Sequence, residues 1–129
     1  MTVLGTGTIT VAAAALLNIR DDVTFTTGSM TMSGSLVTTS GNINLTANGG
    51  YTGTGAVNSA NALTIRTTAV TTGSGTLTAA NALSITATTG ALTLGSYNIA
   101  STNGSVSLSS VGGTISQTAA NTLKAGTTV

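Results

Sequence analysis

The chain has no cysteine, histidine, proline, glutamate or tryptophan, and its charged side chains are Arg20, Asp21, Asp22, Arg66 and Lys124. Without cysteine there is neither a disulfide framework nor a thiolate nucleophile. Without histidine or glutamate, a pair of titratable groups with separated pKa values for acid–base catalysis is hard to assemble. Asp21 and Asp22 are adjacent, and neighbours on a strand point to opposite faces. A net charge of +1 gives no electrostatic basis for binding nucleic acid or an anionic membrane. The aromatic residues are Phe25, Tyr51 and Tyr97, too few for the interfacial girdles of a transmembrane barrel. No apolar run is long enough to cross a bilayer as a helix. The run Val11–Leu17 has the size of a short signal-peptide core, but Lys and Arg are missing ahead of it. The lack of proline suits a backbone whose N–H groups are used in ladders.

What is present is periodic. Ala60-Asn61-Ala62-Leu63-Thr64-Ile65 returns almost letter for letter as Ala80-Asn81-Ala82-Leu83-Ser84-Ile85. Stepping by the same interval gives a first apolar column, Val3, Val23, Ile43, Leu63 and Leu83, continuing through Asn103 to Leu123. A second column runs Gly5, Phe25, Leu45, Ile65, Ile85, and a third Leu17, Val37, Val57, Leu77, Tyr97. Recurrence at a fixed interval in several columns at once is the mark of a solenoid, in which each repeat is one coil stacked on the next. Antiparallel hairpins also alternate apolar and polar residues, but they require no equivalence between residues a full coil apart.

The coil 61–80 serves as the template. Leu63–Arg66 alternates and predicts a half-buried strand. Thr67-Thr68 turns a corner, Ala69–Thr71 forms a second short strand, and Gly73-Ser74-Gly75 a second corner. Thr76–Thr78 is the third strand, and Ala79–Asn81 closes the coil. The expected fold is therefore all-β: a parallel β-helix of triangular section. Each coil takes about 20 residues, at the short end of solenoid periods, and the chain makes six to seven coils. Residues 1–129 form a single solenoid. Residues 1–22 fit the period least and make an irregular first coil, although the Ala12–Ala15 run is also compatible with a helical turn. Residues 23–100 are regular. In 101–118, Val106 and Leu108 arrive late, which predicts an insertion near Ser101–Gly104, with Val106, Leu108, Val111 and Ile115 buried. A matching shortening before Asn121 restores the register at Leu123, and 119–129 form an incomplete last coil. Corners absorb such changes readily.

Few residues are candidates for chemistry. Arg66 and Lys124 lie about three coils, or about 14 Å, apart along the axis. Calcium-loaded β-rolls need Gly and Asp at fixed positions in every turn, which two Asp cannot supply. The Gly53/Gly55 and Gly73/Gly75 pairs read as corners and not as phosphate loops. No catalytic, metal or cofactor role is expected. Two polar patterns remain. Asn61, Asn81 and Asn121 share a column with Asp21, Gly41 and Ser101, and form a candidate ladder in which each amide bonds its copy one coil away. The second pattern is an outward array of Thr24, Thr26, Thr46, Thr64 and Thr86, interrupted by Arg66 and diluted by Asn44 and Ser84. Flat threonine arrays of this kind order water in some ice-binding solenoids, while threonine is also simply a good exposed strand residue.

Ser40-Gly41-Asn42-Ile43-Asn44-Leu45-Thr46-Ala47, Ala60–Ile65 and Gly75-Thr76-Leu77-Thr78-Ala79 resemble the repeats of filamentous haemagglutinin-type exoproteins over roughly residues 23–129. The resemblance implies a right-handed β-helix exported by two-partner secretion to the bacterial surface or medium. It implies service as an adhesin, surface filament or delivery stalk. The expected role is a structural shaft or fibre subunit stacking end to end on copies of itself or on neighbouring coils of a longer chain. An adhesive module contacting a host surface or glycan is the alternative, and an ice-binding array a further one. Neither nucleic-acid binding nor membrane insertion is expected.

Overall fold

In a computed structural model, described for residues 1–70, 73–117 and 122–127, the chain winds as an all-β solenoid of about six turns with a spacing of roughly 21 residues. The first coil holds β1 (Thr2–Leu4), β2 (Thr8–Val11) and β3 (Leu16–Ile19). The second holds β4 (Val23–Met32) and β5 (Ser35–Thr38), and the third β6 (Ile43–Gly53) and β7 (Ala56–Ser59). The fourth has β8 (Leu63–Thr67), a single bridging residue Val70, and β9 (Ser74–Ala79). The fifth has β10 (Leu83–Ala87), β11 (Leu92–Thr93) and β12 (Ser96–Ser101). The sixth has β13 (Val106–Ser110), β14 (Ile115–Ser116) and β15 (Leu123–Lys124). Every strand pair is parallel, so neighbours in space are one coil apart in sequence. At about 4.8 Å per step, the first and last coils lie roughly 24 Å apart.

Three sides follow. The first side runs β1-β4-β6-β8-β10-β13, and the third β3-β5-β7-β9-β12-β15. The second side is made by β2, residues 29–32 of β4 and 50–53 of β6, Val70, β11 and β14. β4 and β6 continue round the first corner as single strands, with a register shift between Thr27 and Ser29 marking the bend. Residues 1–22 contribute to all three sides. Their irregularity is a break between β1 and β2 where the next two coils run on. The Ala12–Ala15 run is a turn, not a helix: Ala15 N–H donates to the Ala12 carbonyl at 3.0 Å, and Ala14 has φ 65°.

Four inward columns supply most of the interior, and the buried pair Val11 and Met32 adds to it at the end of the second side. Val23, Ile43, Leu63, Leu83 and Val106 stack in register. Beside them run Val3, Phe25, Leu45, Ile65, Ile85 and Leu108. Val3 thus belongs over Phe25 and not over Val23, and Gly5 belongs to no apolar column, because the first coil is longer than the period. The second side contributes Ile9, Met30, Tyr51, Val70, Leu92 and Ile115. The third contributes Leu17, Leu36, Val57, Leu77, Ile99 and Leu123.

The third column corrects three expectations. Leu36, not Val37, points inward: Leu36 is fully buried, whereas Val37 pairs with Asn18 and Asn58 on the outer face. The step into β5 falls one short of the period, and such a slip exchanges the two faces of a strand. Tyr97 is buried but pairs with Gly75, and Ile99 takes the place over Leu77. Leu123 lies over Ile99 on the third side, so the register of the first side is not regained there. Val106 and Leu108 arrive late as expected, over Leu83 and Ile85, but the insertion expected near Ser101–Gly104 lies mostly earlier. The pairing of Thr67 with Ala87 gives way to Val70 with Leu92 and Ala79 with Ser101, so the chain lengthens at the bend between β10 and β11 and only slightly after Ser101. Val111 and Ile115, expected inside, are 73% and 49% exposed. Val111 lies in the bend after β13, and Ile115 continues an inward column on the last described coil, where no further described coil covers it.

These registers separate neighbouring residues sharply. Leu36→Ala should cost about 2–5 kcal/mol of unfolding free energy, and Val37→Thr less than about 1 kcal/mol. Denaturant melts of the two variants check this, and equal losses would contradict the register.

Candidate functional site

The candidate surfaces are the corners, the outward face of the first side, and one buried tyrosine pair. Corners come first because they carry the buried polar groups. A column at the end of the first side reads Thr27, Ala47, Thr67, Ala87, Ser110. Another, at the end of the third side, reads Ser59, Ala79, Ser101, with Thr38 in the coil before. A chain that bends sharply leaves room only for small side chains, and the buried hydroxyls among them bond corner carbonyls, of which Gly7, Ala62 and Ala69 also accept a backbone N–H. Thr27 donates to the Gly7 and Ser29 carbonyls at 2.5 and 3.1 Å, and Thr67 to Ala69 at 3.0 Å. Thr38 donates to Gly41 at 2.8 Å, Ser59 to Ala62 at 2.8 Å, and Ser101 to the Asn81 carbonyl. These five are the buried polar residues among those described, and each is satisfied, as buried polar groups must be. This system escaped the apolar columns of the sequence, although Thr27, Ala47, Thr67 and Ala87 recur at the same interval.

The outer part of the third-to-first corner holds the ladder. Asn81 Nδ2 donates to Asn61 Oδ1 at 2.5 Å, so the expected Asn61/Asn81 step is present. Asn121 lies outside the described residues. Ser101 leaves the expected polar column, pairing with Ala79 and turning inward. A second ladder runs beside the first: Asn42 donates through Nδ2 to Asp22 Oδ1 at 3.1 Å, and its own Oδ1 accepts from Ala62 N–H at 3.2 Å. On the third side Thr78 donates to Asn58 Oδ1 at 2.5 Å. Asp22 is therefore used as an acceptor at a corner. Nothing brings Asp21, Arg66 and Lys124 together, and the described residues hold no group of three metal-ligating side chains.

On the first side, Thr24, Asn44, Thr64 and Ser84 form one outward column, and Thr26, Thr46, Arg66 and Thr86 the next. The expected array thus exists as two adjacent columns, with Arg66 inside the second. Along the second-to-third corner runs a groove of about 440 Å³, lined by Ala14, Leu16, Gly34, Thr54, Gly55 and Gly75 among others.

Tyr51 and Tyr97 meet inside the coil, ring centroids 6.5 Å apart and tilted by 42°. The Tyr97 hydroxyl donates to the Gly53 carbonyl at 2.8 Å, reaching back two coils. Gly73 lies between them. A Cβ there would collide with both the Tyr97 hydroxyl and the Gly53 carbonyl oxygen, so the bond requires glycine at that position. Burial pushes the Tyr97 phenol up to about 12 and raises Tyr51 further, with Tyr97 adding to the shift at Tyr51.

Compared with protein-family models, curated proteins and solved structures, the chain matches none.

The tyrosine pair gives two expectations. Tyr97→Phe leaves a buried carbonyl without its donor and should cost about 1–3 kcal/mol. Because the folded phenol holds its proton more tightly than the unfolded one, its contribution is full below pH 10 and is lost as pH rises from 10 through about 12. Tyrosinate absorbance should therefore appear together with loss of β-sheet circular dichroism in an alkaline titration. Ionisation well before unfolding would contradict the buried pair.

Proposed function

We propose that the chain is a structural shaft: a β-solenoid segment of a secreted or cell-surface bacterial filament or adhesin, of the filamentous haemagglutinin type. The observation that carries this reading is the continuity of the inward columns. Val3 to Leu108, Ile9 to Ile115 and Leu17 to Leu123 each run through all six coils with apolar or aromatic residues at every level. Such an interior has one evident product, a stiff rod of settable length, since each coil contacts only its neighbours. The charge-poor surface supports a passive role, as it offers few groups for catalysis. The repeat phrases of the sequence support the family.

The same continuity supports end-to-end stacking. Another coil placed beyond β13, β14 and β15 would meet Leu108, Ile115 and Leu123, and one placed before the first coil would meet Val3, Ile9 and Leu17. Parallel strands fix the polarity, so such contacts are head to tail and extend without closing. The added coil belongs either to a second copy or to neighbouring sequence in a longer protein.

Electron micrographs of the purified chain at rising concentration test the reading. Short rods lengthening into filaments are the expected result, and a rounded monomer at every concentration would overturn it. Leu63→Asp places a charge in the narrow core and should abolish both the cooperative melt and the rods. A variant melting within about a degree of the parent would contradict the stacked interior.

A further inference from the structure

We propose that Asn103 is an acceptor for N-linked sugar on the folded rod, and that Asn44 is not. Two stretches have the acceptor pattern of asparagine, any residue but proline, then serine or threonine: Asn44-Leu45-Thr46 and Asn103-Gly104-Ser105. The fold treats them differently.

Asn44 lies in β6, held on both edges in the order Thr24, Asn44, Thr64. Leu45, between the acceptor and its threonine, is 1% exposed and packed in the core. An enzyme that must wrap the three residues in its own cleft has to lift a central strand out of the sheet, breaking two ladders and uncovering Leu45.

Asn103 lies at the corner between β12 and β13, which is one residue longer than the corner below it: Val106 follows Ser101 by five positions, whereas Leu83 follows Ala79 by four. Its side chain and that of Ser105 are both exposed. The corner backbone is nevertheless fixed. Asn103 N–H donates to the Ala80 carbonyl at 2.8 Å, and Gly104 N–H to Ser101 Oγ at 3.0 Å. Gly104 is pressed against the coil below, where a Cβ would meet the Asn81 carbonyl carbon at 2.6 Å. Asn42, Asn61 and Asn81, at the same corner in earlier coils, use their side-chain amides in ladders. The Asn103 amide and the Ser105 hydroxyl form no such bond with another described residue. The longer corner thus holds out an uncommitted amide and, two residues on, an uncommitted hydroxyl.

The sugar donor is a diphosphate-activated glycosyl unit, carried by a nucleoside or by a lipid. The Asn103 amide nitrogen attacks the anomeric carbon and forms the C–N bond. The bond from that carbon to the diphosphate breaks, the diphosphate leaves with the electron pair, and the amide loses one proton.

The three basic residues make the test simple. Trypsin after Arg20, Arg66 and Lys124 puts Asn44 in the peptide 21–66 and Asn103 in 67–124. The folded chain is offered in one arm to a soluble N-glycosyltransferase with a nucleotide-activated hexose. In the other arm it is offered to a membrane oligosaccharyltransferase with a lipid-linked oligosaccharide. The expected result is added sugar mass on 67–124 alone, in at least one arm, which also identifies the donor. The addition should be lost in Asn103→Gln and in Ser105→Ala, kept in Asn44→Gln, and accompanied by unchanged melting curves. Modification of neither peptide in both arms, while a synthetic peptide spanning 99–108 is modified, overturns the proposal. So does modification of 21–66 in the folded chain.

Discussion

Everything in this molecule depends on one constraint: residues paired across a parallel ladder must be of compatible size at every level. In most folds a core position answers to neighbours of unrelated shape. Here Leu63 answers to Ile43 below and Leu83 above, and a side chain too large or charged at one level disturbs three. That explains why a chain of 129 residues dominated by Thr, Ser, Gly, Ala and Asn has a buried interior at all. The few Leu, Ile, Val, Met, Phe and Tyr residues are concentrated in the inward columns, and the small residues supply strand exteriors and bends.

The same constraint sets where polar groups sit. Ladders satisfy backbone groups along the three sides, but bends interrupt them. Among the described residues, buried hydroxyls of Thr and Ser appear only there, in columns shared with Ala. An all-alanine corner would leave carbonyls such as Gly41 and Asn81 without those donors. A corner of larger polar residues would not fit the bend. Outside the bend, Asn42, Asn61 and Asn81 link coil to coil without entering the core. Polar cohesion is thus layered around the apolar columns, each part assigned by the space the backbone leaves.

Much of this was legible from periodicity alone, because stacking in register writes itself into sequence as a fixed interval. The Phe25 to Ile85 and Val23 to Leu83 columns, the outward threonines, the Asn61/Asn81 bond and the late arrival of Val106 were all readable in that way. What was not readable came from coils of unequal length. The step from Leu17 to Leu36 is shorter than the period and the step from Leu36 to Val57 longer, so a rigid interval lands on Val37 instead. Tyr97 misled for another reason: its burial comes from the empty space over Gly73 and Gly75 and not from a place in the aliphatic column. From Leu92 onward the coils lengthen in steps, Val70 pairing with Leu92, Leu83 with Val106 and Ile99 with Leu123, and this growing delay puts Leu123 on the third side and not the first.

The identity of corresponding corners has a genetic consequence. Ala60-Asn61 and Ala80-Asn81 occupy equivalent places in successive coils, so removing residues 61–80 would join Ala60 to Asn81 across an unchanged bend. The columns would close up with Ile43 meeting Leu83 and Leu45 meeting Ile85. Unequal recombination between such near-identical stretches would therefore shorten or lengthen the molecule by whole windings, leaving a folded product each time. Length becomes a heritable variable that can drift in discrete steps without passing through a misfolded intermediate sequence.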